Sequence, residues 1–411
     1  MSDHLDDLGI EVIESYEASK LPAADYYVIG NSISRGNPSL EFLLSSKANI
    51  VSGPEWLYNS VLKDKNVIAV SGTHGKTTTT AMIAWIFEDQ GLDVGYLIAG
   101  KPKDFKKSAR KGNNDIFVIE ADEYDTAFFD KRSKFIHYKP DTLIINNIEF
   151  DHGDIFPDIT YIHREFHHLV RSLKEEASII FPTDDLNIAK VLDMGCWSEL
   201  ISYGIGIEHN NSIKLNDDPK KTSYKIDTQE GHIDWDMFGE HNARNAMSAA
   251  LAAYKYGIPL KDSLGSLKKF QGVSKRQDFL LNTEELILIE DFAHHPTAIK
   301  STLEGIRKNY PENRLLAAIE LRSNTMKSGF HDERLIEATA EADKIFWKSE
   351  DLEQAKSLVS RNLSKSDHIS NIDEFVDMFD SISIEGDILI IMSNGNFDGL
   401  STKLVKKIKN D

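Results

Sequence analysis

Residues 71–80 read Ser-Gly-Thr-His-Gly-Lys-Thr-Thr-Thr-Thr, a glycine-flanked loop that ends in Lys-Thr. A lysine and a hydroxyl behind two glycines can hold the phosphates of a nucleotide. The glycines let the backbone approach, the lysine meets the β- and γ-phosphates, and the threonine hydroxyl ligates Mg²⁺. The full phosphate-loop template is G-x-x-x-x-G-K-[ST]. Its first glycine would fall at Val70, whereas here it is Gly72, so the loop is two residues shorter than the template.

Local context separates a nucleotide loop from an ordinary βα turn. The apolar run Val67-Ile68-Ala69-Val70 precedes the loop and predicts a strand. Residues 77–90 follow, with Met82, Ile83, Ile86 and Phe87 on one helical face and Gly91 as the stop. Strand, glycine loop and helix N-terminus is the geometry that aims free N–H groups and the helix dipole at an anion. Gly72, Thr73, His74, Gly75, Lys76, Thr77 and Thr78 are therefore the expected ATP-binding segment.

Mg²⁺ beside a nucleotide takes oxygen ligands. The predicted strand at 116–120 runs into Glu-Ala-Asp-Glu-Tyr-Asp, residues 120–125, and the one at 142–146 leads to Asp151 and His152. Parallel neighbours would bring these strand ends together above the loop. Glu120 and His152 are then expected to hold a metal and, with Lys76, to carry the catalysis, while a solvated acidic loop is the plainer reading of 120–125. His163, His167 and His168 share a helix face, but there is no His-Glu-x-x-His motif and no cysteine pair, so zinc is not expected there. Histidines near the substrate cleft are the expectation instead.

The remaining chain fixes the frame. Strand-like and helical patterns alternate over 411 residues, which predicts α/β architecture in three regions, 1–65, 66–274 and 275–411. The first is expected to contain a short helix, strands at 10–13 and 26–30 and a helix near 39–46; the polar stretch 208–236 is expected to be a hairpin or loop excursion. Strands are expected at 286–290, 315–320 and 387–392 in the third. A net charge of −19 argues against a general nucleic-acid binder, though a local pocket can still take small anions. The single cysteine, Cys196, excludes an intramolecular disulfide and suits a reducing cytoplasm. No apolar run approaches the roughly 18 residues of a membrane span.

Taken together and in order, GTHGKTTTT, EADEYD, NNIEFDH, FGEHNARNAMSA and EDFAHHPTA resemble the motifs of the Mur ligases, and the likeness covers nearly the whole chain. Three stretches, Ile29–Pro38, Asp125–Phe135 and Arg322–Lys327, are similar to the branch that joins UDP-N-acetylmuramate to the recycled murein tripeptide L-alanyl-γ-D-glutamyl-meso-diaminopimelate. The resemblance implies an incomplete Rossmann-like N-terminal domain, a central P-loop ATPase domain and a C-terminal Rossmann-like acceptor domain. It implies ATP and Mg²⁺ as cofactors, UDP-N-acetylmuramate and the tripeptide as partners, a monomer, and chemistry through an acyl phosphate.

By position, the likeness makes Lys76 the phosphate lysine, Thr77 a Mg²⁺ ligand, and Glu120 and His152 second-metal ligands. It puts Asn245 on the adenine side, Arg276 on the ATP phosphates and Asp291 on the ribose. His294 and His295 would line the inter-domain cleft. Arg322, Asn324 and Lys327 would meet the peptide's carboxylates, and Asn31, Ser32, Arg35, Asp122 and Arg132 would contact substrate.

Departures from the pattern carry their own expectations. The family's opening strand and glycine-rich UDP loop have no counterpart, so the chain is expected to start inside that domain, through a misplaced start or a truncated gene, and to bind UDP-muramate weakly. No lysine matches the carbamylated lysine of some relatives, and His167 or His168 is expected in that neighbourhood. L-Alanine addition, a folylpolyglutamate-type acceptor, and an ATP-binding protein without ligase activity remain alternatives.

Overall fold

A computed structural model describes Leu5 and residues 9–151, 156–206 and 208–410; His152 lies outside these residues. Two sheets organise them. The larger contains ten strands, in the order 229–234, 221–226, 212–215, 199–205, 178–182, 142–145, 66–71, 116–120, 95–97 and 109–110. The phosphate-loop strand Asn66–Ser71 is central and lies parallel between Thr142–Ile145 and Ile116–Glu120. The C-terminal ends of these strands therefore open at one edge, as βαβ connectivity requires. The ladder pairs Val70 with Glu120 and with Ile144, which sets Glu120 and the following Asn146 on either side of the loop.

Both faces of this sheet are covered. Helices Lys76–Asp89 and Glu240–Lys255 pack on one face through Met82, Ile86, Ala246 and Ala250, all fully buried. Helix Ile159–Val170 and the short helical turn Lys134–His137 cover the other through Phe166, Leu169 and Phe135. A central strand buried on two sides reads as a continuous apolar run, as at residues 67–70.

The smaller sheet has six strands, in the order 278–282, 286–291, 387–392, 315–321, 344–349 and 366–368. All are parallel except the edge strand Asp278–Asn282. At the other end of the chain, Tyr27–Ile29 and Ile50–Ser52 form a two-stranded parallel sheet beside helix Pro38–Ser45. Phe128, from the hairpin after Asp125, packs on Ile29, Leu40 and Leu43 there.

One expectation about elements differs from the structure and another is resolved by it. Residues 10–13 are not a strand; Ile10, Val12 and Ile13 are exposed, and without a partner strand a β-branched run has no ladder to join. The polar stretch 208–236 takes the hairpin alternative, with Lys221–Ile226 antiparallel to Gln229–Asp234, and is not a loop excursion. It supplies strands Ser212–Leu215, Lys221–Ile226 and Gln229–Asp234, which extend the large sheet, with Tyr224, Ile226 and Ile233 buried beneath them.

Candidate functional site

The phosphate loop is rigid for identifiable reasons. Gly72 has φ +126° and Gly75 φ +79°, backbone that L side chains rarely adopt. A Cβ on Gly72 would sit 3.0 Å from the backbone of Asn147, and one on Gly75 only 2.5 Å from Asn245 Oδ1. The loop is braced from both flanks. Asn147 Oδ1 accepts from the His74 N–H at 2.8 Å, and Thr79 Oγ1 donates to Asn245 Oδ1 at 3.1 Å. Asn146 Nδ2 donates to Thr79 Oγ1 at 3.1 Å.

Helix Lys76–Asp89 begins at Gly75 with no side-chain cap. Its first-turn N–H groups therefore face the cleft with the positive end of the helix dipole, which fits a phosphate group. Lys76 Nζ lies among anions: it donates to Gly72 O at 2.7 Å and Glu123 Oε2 at 2.9 Å, with Asp122 Oδ1 at 3.5 Å. Burial disfavours its charge, but Glu123 and then Asp122 outweigh that, so Lys76 is held above the usual lysine range and stays protonated. Thr77 Oγ1 donates to Glu120 Oε1 at 3.0 Å, and Glu120 Oε2 accepts from the Ala99 N–H at 3.1 Å. A hydroxyl and a carboxylate this close below the loop form an oxygen donor set of the kind Mg²⁺ takes.

The loop opens into a cleft of about 1270 Å³ whose walls come from both sheets. Asn245, Arg276, Asp291, His294 and Arg322 line it together with the loop. Arg276 lies over the Phe292 ring, 4.2 Å from its centroid, between Lys275 and Gln277, which both have positive φ. Burial lowers its pKa, against the pull of Asp291 and Glu120. The Asp291 carboxylate accepts from the Gln277 N–H at 2.7 Å and the Ala293 N–H at 2.8 Å; burial still pushes its pKa up. Asp278, two residues after Arg276, accepts from Lys103 Nζ at 2.6 Å instead of facing the arginine.

His241 spans the junction, with Nδ1 2.8 Å from Ser301 Oγ and Nε2 3.4 Å from Gln277 Nε2. Burial, and then the charge of Arg276, lower its pKa from 6.5 to about 4. Between these values the unfolded chain binds a proton that the folded chain does not. Stability is thus present above pH 6.5 and is lost as pH falls toward 4. Replacing His241 with Gln is expected to flatten this acid limb by on the order of 3 kcal/mol, read as the pH dependence of the calorimetric unfolding midpoint. An unchanged slope would remove His241 from that account.

Other expected site residues do not reach this cleft; of the two adjacent histidines only His294 lines it, and His295 is buried. Arg35 is exposed and bound to Glu41 at 2.8 and 2.9 Å. Arg132 is bound in the same two-pronged way to Asp130, at 2.9 and 2.6 Å, on the exposed hairpin. Asn31 and Ser32 occupy an exposed turn after Tyr27–Ile29. Lys327 is held by Glu350 at 2.7 Å and is absent from the cleft wall. Asn324 starts the short helix that ends at Lys327, and its side chain is outside the described atoms. The expectation for the helical histidines also changes. His167 and His168 do not line the cleft, and His163 instead meets Asn187 Oδ1 at 3.0 Å.

Several contributors had no role assigned from sequence. Glu123 is the closest anion to Lys76, Asn146 and Asn147 brace the loop, and Arg244 on the cleft wall grips Asp184 at 2.8 and 2.6 Å. The third acid in Glu-Ala-Asp-Glu and the doubled asparagine at a strand end were the available signals.

The chain is similar to known proteins along its whole length. Residues 70–253 match the Mur ligase middle domain, and residues 275–395 match the Mur ligase, glutamate ligase domain. The chain is 41% identical over 416 residues to the UDP-N-acetylmuramate–L-alanyl-γ-D-glutamyl-meso-2,6-diaminoheptandioate ligase of Escherichia coli, covering 98% of this chain and 90% of the relative. It is 39% identical to the protein of the same name from Haemophilus influenzae, covering 100% and 91%. The crystal structure of a murein peptide ligase from Psychrobacter arcticus superimposes with a TM-score of 0.73 at 36% identity, over 100% of this chain and 91% of that one. With an α/β architecture built around that loop and cleft, the chain belongs to the Mur ligase family of ATP-dependent ligases.

Proposed function

We propose that the protein joins UDP-N-acetylmuramate to L-alanyl-γ-D-glutamyl-meso-diaminopimelate at the expense of ATP, in cell-wall recycling. One observation carries the reading: a single cleft has the phosphate loop on one wall and Arg322, from the other sheet, on another. The full-length likeness to the two ligases of that name supports it. In this reading residues 1–65 serve the UDP donor, 66–274 ATP and 275–411 the acceptor. Among the described residues no helix is long and apolar enough to cross a membrane.

The chemistry follows from the groups present. A carboxylate is a poor electrophile, and moving the γ-phosphoryl onto it makes phosphate the leaving group. The acceptor's amine then attacks the acyl phosphate, and the tetrahedral adduct collapses to amide and phosphate. Two anions must first approach each other, so positive charge at the phosphates is the main requirement. Lys76 and the uncapped helix N-terminus supply it on one side, and Arg276 on the other. Thr77 and Glu120, with His152, are the proposed holders of Mg²⁺, which neutralises phosphate charge when bound. Asn245 positions the loop from the adenine side, Asp291 is the proposed ribose contact, and His294 and His295 lie at the domain junction. Asn31, Ser32, Arg35 and Arg132 are proposed to meet the far end of the donor, beyond the cleft.

Arg322 is the proposed acceptor anchor. It makes no ion pair within 4 Å among the described residues, and its guanidinium passes so close to Gly395 that a Cβ there would lie 2.5 Å from Nη1. Replacing Arg322 with Ala is expected to raise KM for the tripeptide about 10- to 100-fold with little change in kcat, measured by phosphate release. An unchanged KM would remove it from the acceptor site. The acyl-phosphate step is tested with UDP-N-acetylmuramate carrying ¹⁸O in its lactyl carboxylate. Appearance of one label in inorganic phosphate supports it; unlabelled phosphate alongside amide product refutes it.

A further inference from the structure

We infer that His74, Glu149 and His295 form a binding site for a divalent transition-metal ion at the junction of the two sheets. Their ligand atoms lie within 4.8 Å of one another. His74 comes from the phosphate loop, Glu149 from the segment after strand Thr142–Ile145, and His295 from the N-cap of helix Pro296–Asn309. Three distant parts of the chain thus converge on one point.

Several imidazole nitrogens there lack partners. His295 is 1% exposed, and both its Nε2 and that of His74 are buried without a hydrogen bond. His331, also 1% exposed, meets the His295 ring edge-on at 4.7 Å, with neither of its ring nitrogens bonded. The His74 and His295 ring centroids are 4.8 Å apart. Each buried nitrogen left unsatisfied is destabilising. Several gathered in one place are unusual in a native fold. A shared cation would satisfy them together.

Donor chemistry selects the ion. Two imidazoles and a carboxylate suit Zn²⁺, Co²⁺ or Ni²⁺ and are a poor set for Mg²⁺, which prefers oxygen. Burial keeps the rings of His74, His295 and His331 neutral, the form that coordinates, so little proton release is needed. Glu149 is fixed by Thr297 Oγ1 at 2.6 Å, and its Oε2 lies 3.6 Å from His295 Nδ1. The competing cation, Arg334 at 3.8 Å, is half exposed, so solvent weakens its hold on Glu149. Tetrahedral bonds of about 2.0–2.1 Å put ligand atoms roughly 3.3 Å apart, so binding requires only a short contraction. None of the three is among the residues proposed for Mg²⁺. Because they come from both sheets, the ion would pin the cleft shut beside the phosphate loop.

The test uses the full chain without a polyhistidine tag, stripped with a chelator and kept in excess Mg²⁺. Calorimetric titration with Zn²⁺ is expected to show one equivalent bound, and zinc-edge X-ray absorption to show a shell with two imidazoles. Glu149→Gln and His295→Gln are each expected to weaken binding at least about tenfold. The absorption measurement needs no variant, so misfolding of one cannot obscure the answer. No stoichiometric binding, an all-oxygen shell, or unchanged affinity in both folded variants would overturn the site.

Discussion

Lys76→Met is expected to lower kcat/KM for ATP-dependent amide formation by at least about 10³-fold, because one preorganised cation at a transferring phosphoryl group is worth that much. It is also expected to destabilise the protein, for a separate reason. The Lys76 and Glu123 side chains are 12% and 3% exposed, and removing one partner of a buried pair costs about 3–5 kcal/mol. The two effects can be parted. Lys76→Met combined with Glu123→Gln removes charge from both sides and is expected to recover much of the stability, measured calorimetrically, but none of the activity. Recovery of turnover in the double variant would mean that Lys76 serves the fold and not the phosphates.

Gly75→Ala is the second large effect. The φ of +79° costs an alanine about 1–2 kcal/mol by itself. Its Cβ would also stand 2.5 Å from Asn245 Oδ1 and 3.0 Å from Asn146 Nδ2, the two side chains that hold Thr79. Either Asn245 moves or the first helical turn unwinds, and both outcomes disturb the N–H groups that face the cleft. A distortion of about 3 kcal/mol corresponds to roughly 100-fold weaker ATP binding, measured by calorimetry. Gly265 in helix Leu260–Leu267 provides the control, since a Cβ there meets nothing within 4 Å. Gly265→Ala is expected to be neutral or mildly stabilising. Equal ATP affinities for the two variants would contradict the assignment of Gly75 to the phosphate site.

What the sequence disclosed, and what it concealed, follows from how locally each feature is encoded. The loop was legible because strand, glycines, lysine and helix are contiguous from Asn66 to Asp89. Glu120 and Asp291 were legible as ends of apolar strands, which a parallel sheet gathers along one edge. Direction was not legible. Arg35, Arg132 and Lys327 had suitable chemistry, yet Glu41, Asp130 and Glu350 hold them away from the cleft. The polar composition around Lys221–Ile226 left hairpin and loop both open, although Thr222, Tyr224 and Ile226 alternate inward, and gave no sign that these strands extend the large sheet. The cluster of His74, Glu149 and His295 could not be read at all, since its members are separated by most of two domains and meet only through tertiary packing.

The central claim is the identity of the reaction. It is tested most directly by incubating the protein with ATP, Mg²⁺ and UDP-N-acetylmuramate, and either L-alanyl-γ-D-glutamyl-meso-diaminopimelate or free L-alanine, and quantifying the amide products by mass spectrometry. The account predicts the UDP-N-acetylmuramoyl-tripeptide, formed one-for-one with ADP, at a kcat/KM well above that for L-alanine. A preference for L-alanine, or ADP released without any amide, would contradict it.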